Sequence, residues 1–81
     1  AFTRQLAIEL APEVKVNAVS PGPVLPPPGY TDEQAKRVAQ GTLLKRWGTP
    51  KDVADAVLFL VESEYITGEV ITVDGGEQIA P

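Results

Sequence analysis

The apolar positions at the start of the chain predict a helix followed by a strand. Phe2, Leu6 and Leu10 recur at every fourth position, which is the apolar stripe of an amphipathic helix, and Pro12 ends that helix. Residues 14–19 (Val-Lys-Val-Asn-Ala-Val) form a short segment that is rich in β-branched residues and bounded by prolines. This segment predicts a strand.

Prolines dominate the segment that follows the predicted strand. Residues 20–30 contain five prolines and two glycines. Proline has no backbone N–H, so such a segment predicts neither a helix nor a central strand. Two interpretations stay open, a polyproline-like linker and an ordered loop over a ligand.

Two threonines mark the starts of two further helices. Thr31 precedes an acidic first turn, and Gly41 is a suitable terminator for the helix that it caps. Thr49 precedes Pro50, which suits the first helical position. The second of these helices is apolar on nearly every side over residues 53–61, which predicts burial from several directions.

A second strand is predicted at residues 69–73, and Asp-Gly-Gly at 74–76 ends it. The two predicted strands are about fifty residues apart with helices between them, which favours a parallel crossover over a hairpin. Parallel sheets are normally several strands wide and covered on both faces. The pattern therefore predicts an α/β architecture that is larger than these 81 residues.

Composition excludes several kinds of chemistry. The chain has no Cys and no His, so neither a disulfide framework, a Cys/His zinc site nor a Ser-His-Asp nucleophile can form within it. Its formal net charge of −4 argues against nucleic acid or an anionic membrane as a partner. No apolar run approaches the length of a membrane span and no signal peptide is visible, so we expect a cytoplasmic protein. Since Met is also absent, we expect the chain to be a fragment.

Four stretches in a fixed order carry a family resemblance. They are Leu-Ala-Ile-Glu-Leu-Ala-Pro at 6–12, Val-Lys-Val-Asn-Ala-Val-Ser-Pro-Gly at 14–22, Leu-Lys-Arg-Trp-Gly-Thr-Pro-Lys-Asp-Val-Ala at 44–54 and Tyr-Ile-Thr-Gly-Glu-Val-Ile-Thr-Val-Asp-Gly-Gly at 65–76. Together they resemble the C-terminal portion of the short-chain dehydrogenase/reductase family.

The resemblance implies a fold and a place within it. Residues 1–81 would be the C-terminal segment of a single Rossmann-type, doubly wound parallel-sheet domain, in the order helix, strand, loop, helix, helix, strand. Residues 20–46 would be its substrate and cofactor loop region, with a substrate lid at 23–46. The family's Tyr-x-x-x-Lys pair would lie just before residue 1, and the glycine-rich motif earlier still. No catalytic residue and no metal ligand is therefore expected within this chain.

The resemblance also implies a cofactor, NAD(P)(H). Its nicotinamide side would meet Pro21, Gly22, Pro23 and Val24, with the backbone of Val24 on the carboxamide. A free N–H and C=O from one residue match the acceptor and donor of an amide. The residues that choose between NADH and NADPH would lie N-terminal to this chain.

The expected reaction moves a hydride between the nicotinamide and a carbonyl or C=N bond of a small molecule. Leu25, Tyr30 and Trp47 are the candidate substrate-pocket residues. Many relatives have a Thr where this chain has Pro26, which offers neither a hydroxyl nor an N–H. That departure favours the pteridine-reductase-like branch over the acyl-carrier-protein reductases.

Three other polar features have structural interpretations. We expect Asn17 to be a hydrogen-bonded structural amide, and we reject Ser20 as a nucleophile because no His and no nucleophile-elbow motif accompany it. The basic cluster of Lys45, Arg46 and Lys51 is interpreted as surface charge, with a bracing role for Arg46 as the second interpretation.

The expected partners are the N-terminal remainder of the same fold and a second copy of the protein. Apolar surface on residues 53–62 and 69–76, together with the family resemblance, implies a homodimer or homotetramer through these segments. The alternative function is a non-catalytic interaction or oligomerisation module with the same C-terminal packing.

Overall fold

The computed structural model describes residues 2–81, and its element order is the one expected from the sequence. The elements are helix α1 (Phe2–Leu10), strand β1 (Ala18–Pro21), helix α2 (Asp32–Gln40), helix α3 (Pro50–Glu62), strand β2 (Val70–Val73) and a single 3₁₀ turn (Glu77–Ile79). The order of helix, strand, loop, helix, helix and strand is confirmed, and the 3₁₀ turn is an addition.

Both internal helices begin with reciprocal hydrogen bonds at the predicted threonine caps. The Thr31 hydroxyl accepts from the Gln34 N–H at 3.1 Å, and the Gln34 side chain accepts from the Thr31 N–H at 2.9 Å. At α3, the corresponding distances between Thr49 and Asp52 are 3.2 and 2.8 Å. These capping boxes satisfy N–H groups that the first helical turn leaves unpaired.

The two strands pair in parallel, as their separation predicts. Ala18 lies opposite Val70, and the register continues to Pro21 opposite Val73. The Ala18 N–H donates to the Glu69 carbonyl at 2.9 Å, and at the other end the Gly22 N–H donates to the Val73 carbonyl at 2.9 Å. The two strands therefore end at the same edge of the sheet.

The predicted position of the first strand is wrong by several residues, because the ladder begins at Ala18 and not at Val14. The Val14 N–H donates to the Leu10 carbonyl at 2.9 Å, so this part of the chain still belongs to the turn that leaves α1. The Val16 N–H donates to the Thr67 hydroxyl at 3.0 Å instead of to a strand carbonyl. Before Ala18 one long-range backbone bond remains, from the Gly68 N–H to the Val16 carbonyl at 2.7 Å, and local and side-chain bonds replace the rest of the ladder.

The strand also continues into the proline-rich segment, where the sequence predicted no strand. Ala18 and Gly22 aim their N–H groups at β2, and successive backbone groups of a strand alternate between its two sides. The nitrogen of Pro21 therefore faces away from β2. Proline is tolerated at this position because no hydrogen bond to β2 is lost.

Asn17 joins the entry of β1 to the entry of β2. Its Nδ2 donates to the Ile66 carbonyl at 3.0 Å, and its Oδ1 accepts from the Glu69 N–H at 3.0 Å. The amide is partly buried and bonded at both ends. Its predicted role as a structural amide is confirmed.

Within residues 2–81 the buried set is small: Ala7, Thr42 and Leu60. The accessible surface is 6072 Å², whereas a closed domain of this mass exposes about 4,700 Å². The radius of gyration is 15.4 Å, against about 12 Å for a compact chain of this length. The contacts within the chain therefore leave large apolar faces uncovered.

Helix α3 shows this exposure clearly. It packs against both strands and its Leu60 is buried, while Leu58 and Phe59 are more than half exposed. The prediction of burial from several directions is not met by the contacts described for this chain. Among the described helices, none is long and apolar enough to cross a lipid bilayer.

Candidate functional site

A groove of about 470 Å³ lies at the edge where both strands end. Three segments line it: the residues after β1, the connection between α2 and α3 together with the first turn of α3, and the end of β2 with the turn that follows. The lining residues are Pro23, Val24, Leu43, Leu44, Arg46, Gly48, Asp52 and residues 72–76.

Gly22 allows the turns after the two strands to meet. A Cβ at this position would lie 2.5 Å from the Asp74 Cβ and 2.8 Å from the Asp74 Cα. Real Cβ atoms do not approach other atoms so closely, so only glycine fits here without a shift of the backbone. The chain that follows Gly22 is therefore placed directly beside the turn that follows β2.

Gly48 contacts the next two residues, Pro23 and Val24. The Gly48 N–H donates to the Pro23 carbonyl at 2.8 Å, and Val24 pairs with Gly48 in an isolated parallel bridge. Because backbone groups alternate along an extended chain, the N–H and C=O of Val24 point away from Gly48. No hydrogen bond to another described residue engages either group.

Val24 is half-buried and lines the groove, and its backbone carries one free donor and one free acceptor. Buried backbone polar groups are nearly always paired, so an unpaired couple of this kind is a candidate for ligand binding. A primary amide carries the complementary couple, a carbonyl acceptor and an NH₂ donor. The geometry fits a carboxamide, the group that the family resemblance assigns to Val24.

Arg46 and Asp52 form an ion pair at the rim of the groove. The Arg46 Nη1 lies 3.2 Å from the Asp52 Oδ2 and also donates to the Trp47 carbonyl at 2.9 Å. The Thr49 N–H and then the Arg46 guanidinium hold the pKa of the Asp52 carboxyl below its ordinary value. Because folding lowers this pKa, the ionised Asp52 carboxylate stabilises the folded state above about pH 4. That stabilisation is lost as the pH falls through the pKa of the folded state.

Tyr30 and Trp47 contact each other, and Trp47 also bonds α2. Their rings pack edge to face, with centroids 6.1 Å apart and an interplanar angle of 78°. The Trp47 Nε1 donates to the Ala35 carbonyl at 2.9 Å. This contact fixes α2 against the connection that leads to α3.

The structure separates the seven predicted site residues into two groups. Pro23 and Val24 line the groove, with Pro21 and Gly22 in the chain immediately before them. The candidate substrate residues Leu25, Tyr30 and Trp47 do not line it. Leu25 is exposed and has a left-handed backbone, with φ of 63°.

Sequence reasoning missed the contribution of the turn after β2. The Asp74 carboxylate accepts from the Gly76 N–H at 2.8 Å and from the Gln78 N–H at 2.9 Å, and the Gly75 carbonyl accepts from the Leu44 N–H at 3.0 Å. These bonds shape one wall of the groove. The parallel pairing was the available signal, since it places residues 74–76 beside residues 22–24.

The basic cluster contains two kinds of residue. Lys51 pairs with Asp55 at 2.7 Å on the exposed face of α3, and Lys45 is exposed and donates to the Gln40 carbonyl at 2.8 Å. Both are surface charges, as expected. Arg46 differs because it bonds the backbone beside Gly48, so the geometry favours the bracing interpretation for this residue.

Known proteins resemble this chain along nearly its whole length. The model of a family described as enoyl-(acyl carrier protein) reductase matches residues 1–78. Carbonyl reductase family member 4 of Danio rerio is 46% identical over 96% of this chain and 33% of its own length. The chain therefore spans about one third of the length of the curated relatives that it matches.

Two solved structures are similar in both sequence and fold. A small-chain dehydrogenase in complex with NADPH is 36% identical, with a TM-score of 0.86 over 98% of this chain and 38% of its own. FolM alternative dihydrofolate reductase 1 from Brucella suis, in complex with NADP, is 36% identical, with a TM-score of 0.87 over 99% of this chain and 32% of its own. On these grounds the chain belongs to the short-chain dehydrogenase/reductase family.

Proposed function

We propose that this chain forms the nicotinamide side of the cofactor site in an NAD(P)-dependent oxidoreductase. One observation carries the proposal: Val24 lines the groove and has an unpaired N–H and C=O, and a carboxamide is their complement. The cofactors bound in the two similar structures support a nicotinamide ligand.

Each residue of the segment after β1 has a defined task in this proposal. Gly22 permits the close approach to Asp74, and the Gly48 N–H holds the Pro23 carbonyl. The Val24 N–H would donate to the carboxamide oxygen, and the Val24 carbonyl would accept from the carboxamide NH₂. When bound, the cofactor supplies or accepts the hydride. The general acid and the ribose-binding Lys are expected from the family's Tyr-x-x-x-Lys pair, outside residues 1–81.

The proposed substrate is a small molecule with a carbonyl or a C=N bond. The carbonyl reductase relative supports the first class. The dihydrofolate reductase neighbour supports the second, and so does proline at position 26 in place of threonine. We propose the pteridine-like branch on these two observations, while the description of the matching family names acyl-carrier-protein reductases.

Val24→Pro tests the cofactor site directly. Proline removes the Val24 N–H but leaves the bond between the Gly48 N–H and the Pro23 carbonyl, because that bond uses neither backbone group of Val24. We expect the affinity of the intact protein for NAD(P)H to fall about tenfold, the effect of one hydrogen bond of about 1.4 kcal/mol. Fluorescence titration measures this affinity.

Val24→Ala is the matched control, since it keeps the backbone N–H and removes only methyl groups. It should bind cofactor nearly as well as the wild type. Equal affinity in Val24→Pro and the wild type would refute the site. A coding sequence with a start codon directly upstream of the Ala1 codon and no Tyr-x-x-x-Lys would favour the non-catalytic interaction module instead.

We also propose that the intact protein forms a homodimer or homotetramer through residues 53–62 and 69–76. Val57, Leu60 and Val61 line a second groove of about 540 Å³ together with residues of β1 and the segment before it. That groove is the place for the N-terminal remainder of the sheet. Leu58 and Phe59 lie on other faces of α3, are 55% and 56% exposed, and are left for a second copy.

Sedimentation of a Leu58→Ser, Phe59→Ser double variant tests this assembly. We expect the wild type to sediment as a dimer or tetramer and the double variant to shift towards monomer, because two large apolar side chains leave the interface core. Tyr65→Ser is the control, since Tyr65 is fully exposed and lies outside both segments. A monomeric wild type would rule out the proposed interface.

A further inference from the structure

Gly48, in the connection between α2 and α3, bonds the backbone of the proposed cofactor segment, residues 21–24. Its N–H donates to the Pro23 carbonyl, and its position faces Val24 across the parallel bridge. A Cβ on Gly48 would lie 3.4 Å from both the Pro23 oxygen and the Val24 Cγ2. The two backbones are therefore in close contact, and a rotation of Gly48 would displace Val24.

The two peptide groups that flank Gly48 are both held by the Arg46–Asp52 pair. The carbonyl before Gly48 belongs to Trp47 and accepts from the Arg46 Nη1 at 2.9 Å. The N–H after Gly48 belongs to Thr49 and donates to the Asp52 Oδ2 at 2.8 Å. The same Nη1 and Oδ2 atoms then pair with each other at 3.2 Å.

This arrangement is a closed set of contacts around one glycine. Bonds to charged groups fix each flanking peptide, and such bonds are stronger than bonds between neutral groups. An exposed ion pair on its own contributes little to folding stability, and here the side chains are 56% and 35% exposed. The bonds to both peptides point to the orientation of Gly48 as the function of the pair.

We propose that Arg46 and Asp52 are positioning residues that orient Gly48 and through it hold the backbone of Val24 for the nicotinamide carboxamide. The proposal rests on the proposed cofactor site. It assigns a role in nicotinamide binding to two side chains that line the groove but act through Gly48.

Amide hydrogen exchange of the cofactor-free intact protein tests whether the Arg46–Asp52 pair orients Gly48. In Arg46→Gln, we expect the Gly48 amide to exchange about fivefold faster, which is the scale of losing one exposed charged contact. The Gly22 amide, which donates to Val73, should keep its rate. Unchanged exchange at Gly48, or equal acceleration at Gly22, would overturn the proposal.

Cofactor binding tests whether the orientation of Gly48 in turn holds Val24 for the nicotinamide carboxamide. We expect Arg46→Gln to bind NAD(P)H about fivefold more weakly, while its affinity for ADP-ribose or 2′-phospho-ADP-ribose, which lack the nicotinamide, stays unchanged. Asp52→Asn, which keeps an acceptor for the Thr49 N–H, should show the same selectivity, and Arg46→Lys should recover part of the loss. An equal loss for the complete cofactor and the fragment would indicate a merely structural role and refute the proposal.

Lys51→Gln is the matched control, because it breaks the Lys51–Asp55 pair in the same helix without touching Gly48. It should change neither ligand affinity nor exchange at Gly48. The Val24 variants separate the two proposals. If Val24→Pro binds cofactor like the wild type, the cofactor site itself fails. If Val24→Pro weakens binding and Arg46→Gln does not, only the positioning role fails.

Discussion

Replacing Gly22 by alanine is expected to lower the free energy of unfolding of the intact protein by about 3 kcal/mol, near the upper end for overpacking. The added methyl group would lie 2.5 Å from the Asp74 Cβ and 2.8 Å from the Asp74 Cα. Neither atom belongs to a flexible side-chain end. The two turns must therefore separate, which weakens the bond between the Gly22 N–H and the Val73 carbonyl.

Chemical denaturation of the purified variant measures this loss, and cofactor titration of the same sample shows whether the segment up to Val24 moves with it. Gly41→Ala is the control: its φ of −77° suits alanine, and the nearest contact of an added Cβ is the Val38 oxygen at 3.3 Å. We expect a change of less than about 1 kcal/mol there. Equal stability of Gly22→Ala and the wild type would show that the two turns do not meet as described.

Asn17→Asp should have the second largest effect, a loss of about 2 kcal/mol in the free energy of unfolding. The aspartate keeps an acceptor for the Glu69 N–H. It also places a carboxylate oxygen where the Nδ2 donor now lies, 3.0 Å from the Ile66 carbonyl. Two acceptors then face each other in a partly buried position, and the entry of β1 separates from the segment before β2.

Gln5→Glu makes the same change of amide to carboxylate on an exposed helix surface, where the Gln5 Nε2 donates to the Glu9 Oε1 at 3.0 Å. It should cost only about 0.3 kcal/mol, as like charges four residues apart do on a helix. Thermal unfolding of both variants at neutral pH makes the comparison. A loss in Asn17→Asp no larger than in Gln5→Glu would contradict the structural role of Asn17.

Local signals were sufficient for the helices. Thr31 and Thr49 are followed at the third helical position by residues that complete a capping box, and this chemistry depends only on near neighbours in the chain. The parallel pairing was also predictable, because the distance between the strands excludes a tight hairpin. These features need no knowledge of distant contacts.

The limits of β1 could not be predicted in the same way. Residues 14–17 have strand composition, but their partners are the Leu10 carbonyl, the Thr67 hydroxyl and the backbone near Ile66 and Glu69. Pro21 is a residue typical of loops. It is nevertheless the last residue of β1, because its nitrogen faces away from β2. In both cases tertiary contacts decide against local preference.

The candidate site was also predictable only where its features have a local sequence signal. The resemblance placed residues 21–24 in the site, and two of them line the groove. Asp52 showed its sequence signal as a helix-start residue that bonds Thr49, whereas its bond to Arg46 depends on the bend between α2 and α3. The close approach of Gly22 to Asp74 joins positions about fifty residues apart and has no local signature.

The bond between the Gly48 N–H and the Pro23 carbonyl has a consequence for how this region can vary in length. It joins the two ends of a loop, residues 23–48, that contains α2 and the proline-rich segment. The entropic cost of closing such a loop grows only with the logarithm of its length, so even doubling the loop costs about 0.6 kcal/mol. Insertions and deletions between residues 25 and 41 are therefore nearly free in conformational entropy, and this part of the chain can change its shape while the strand ends remain in place.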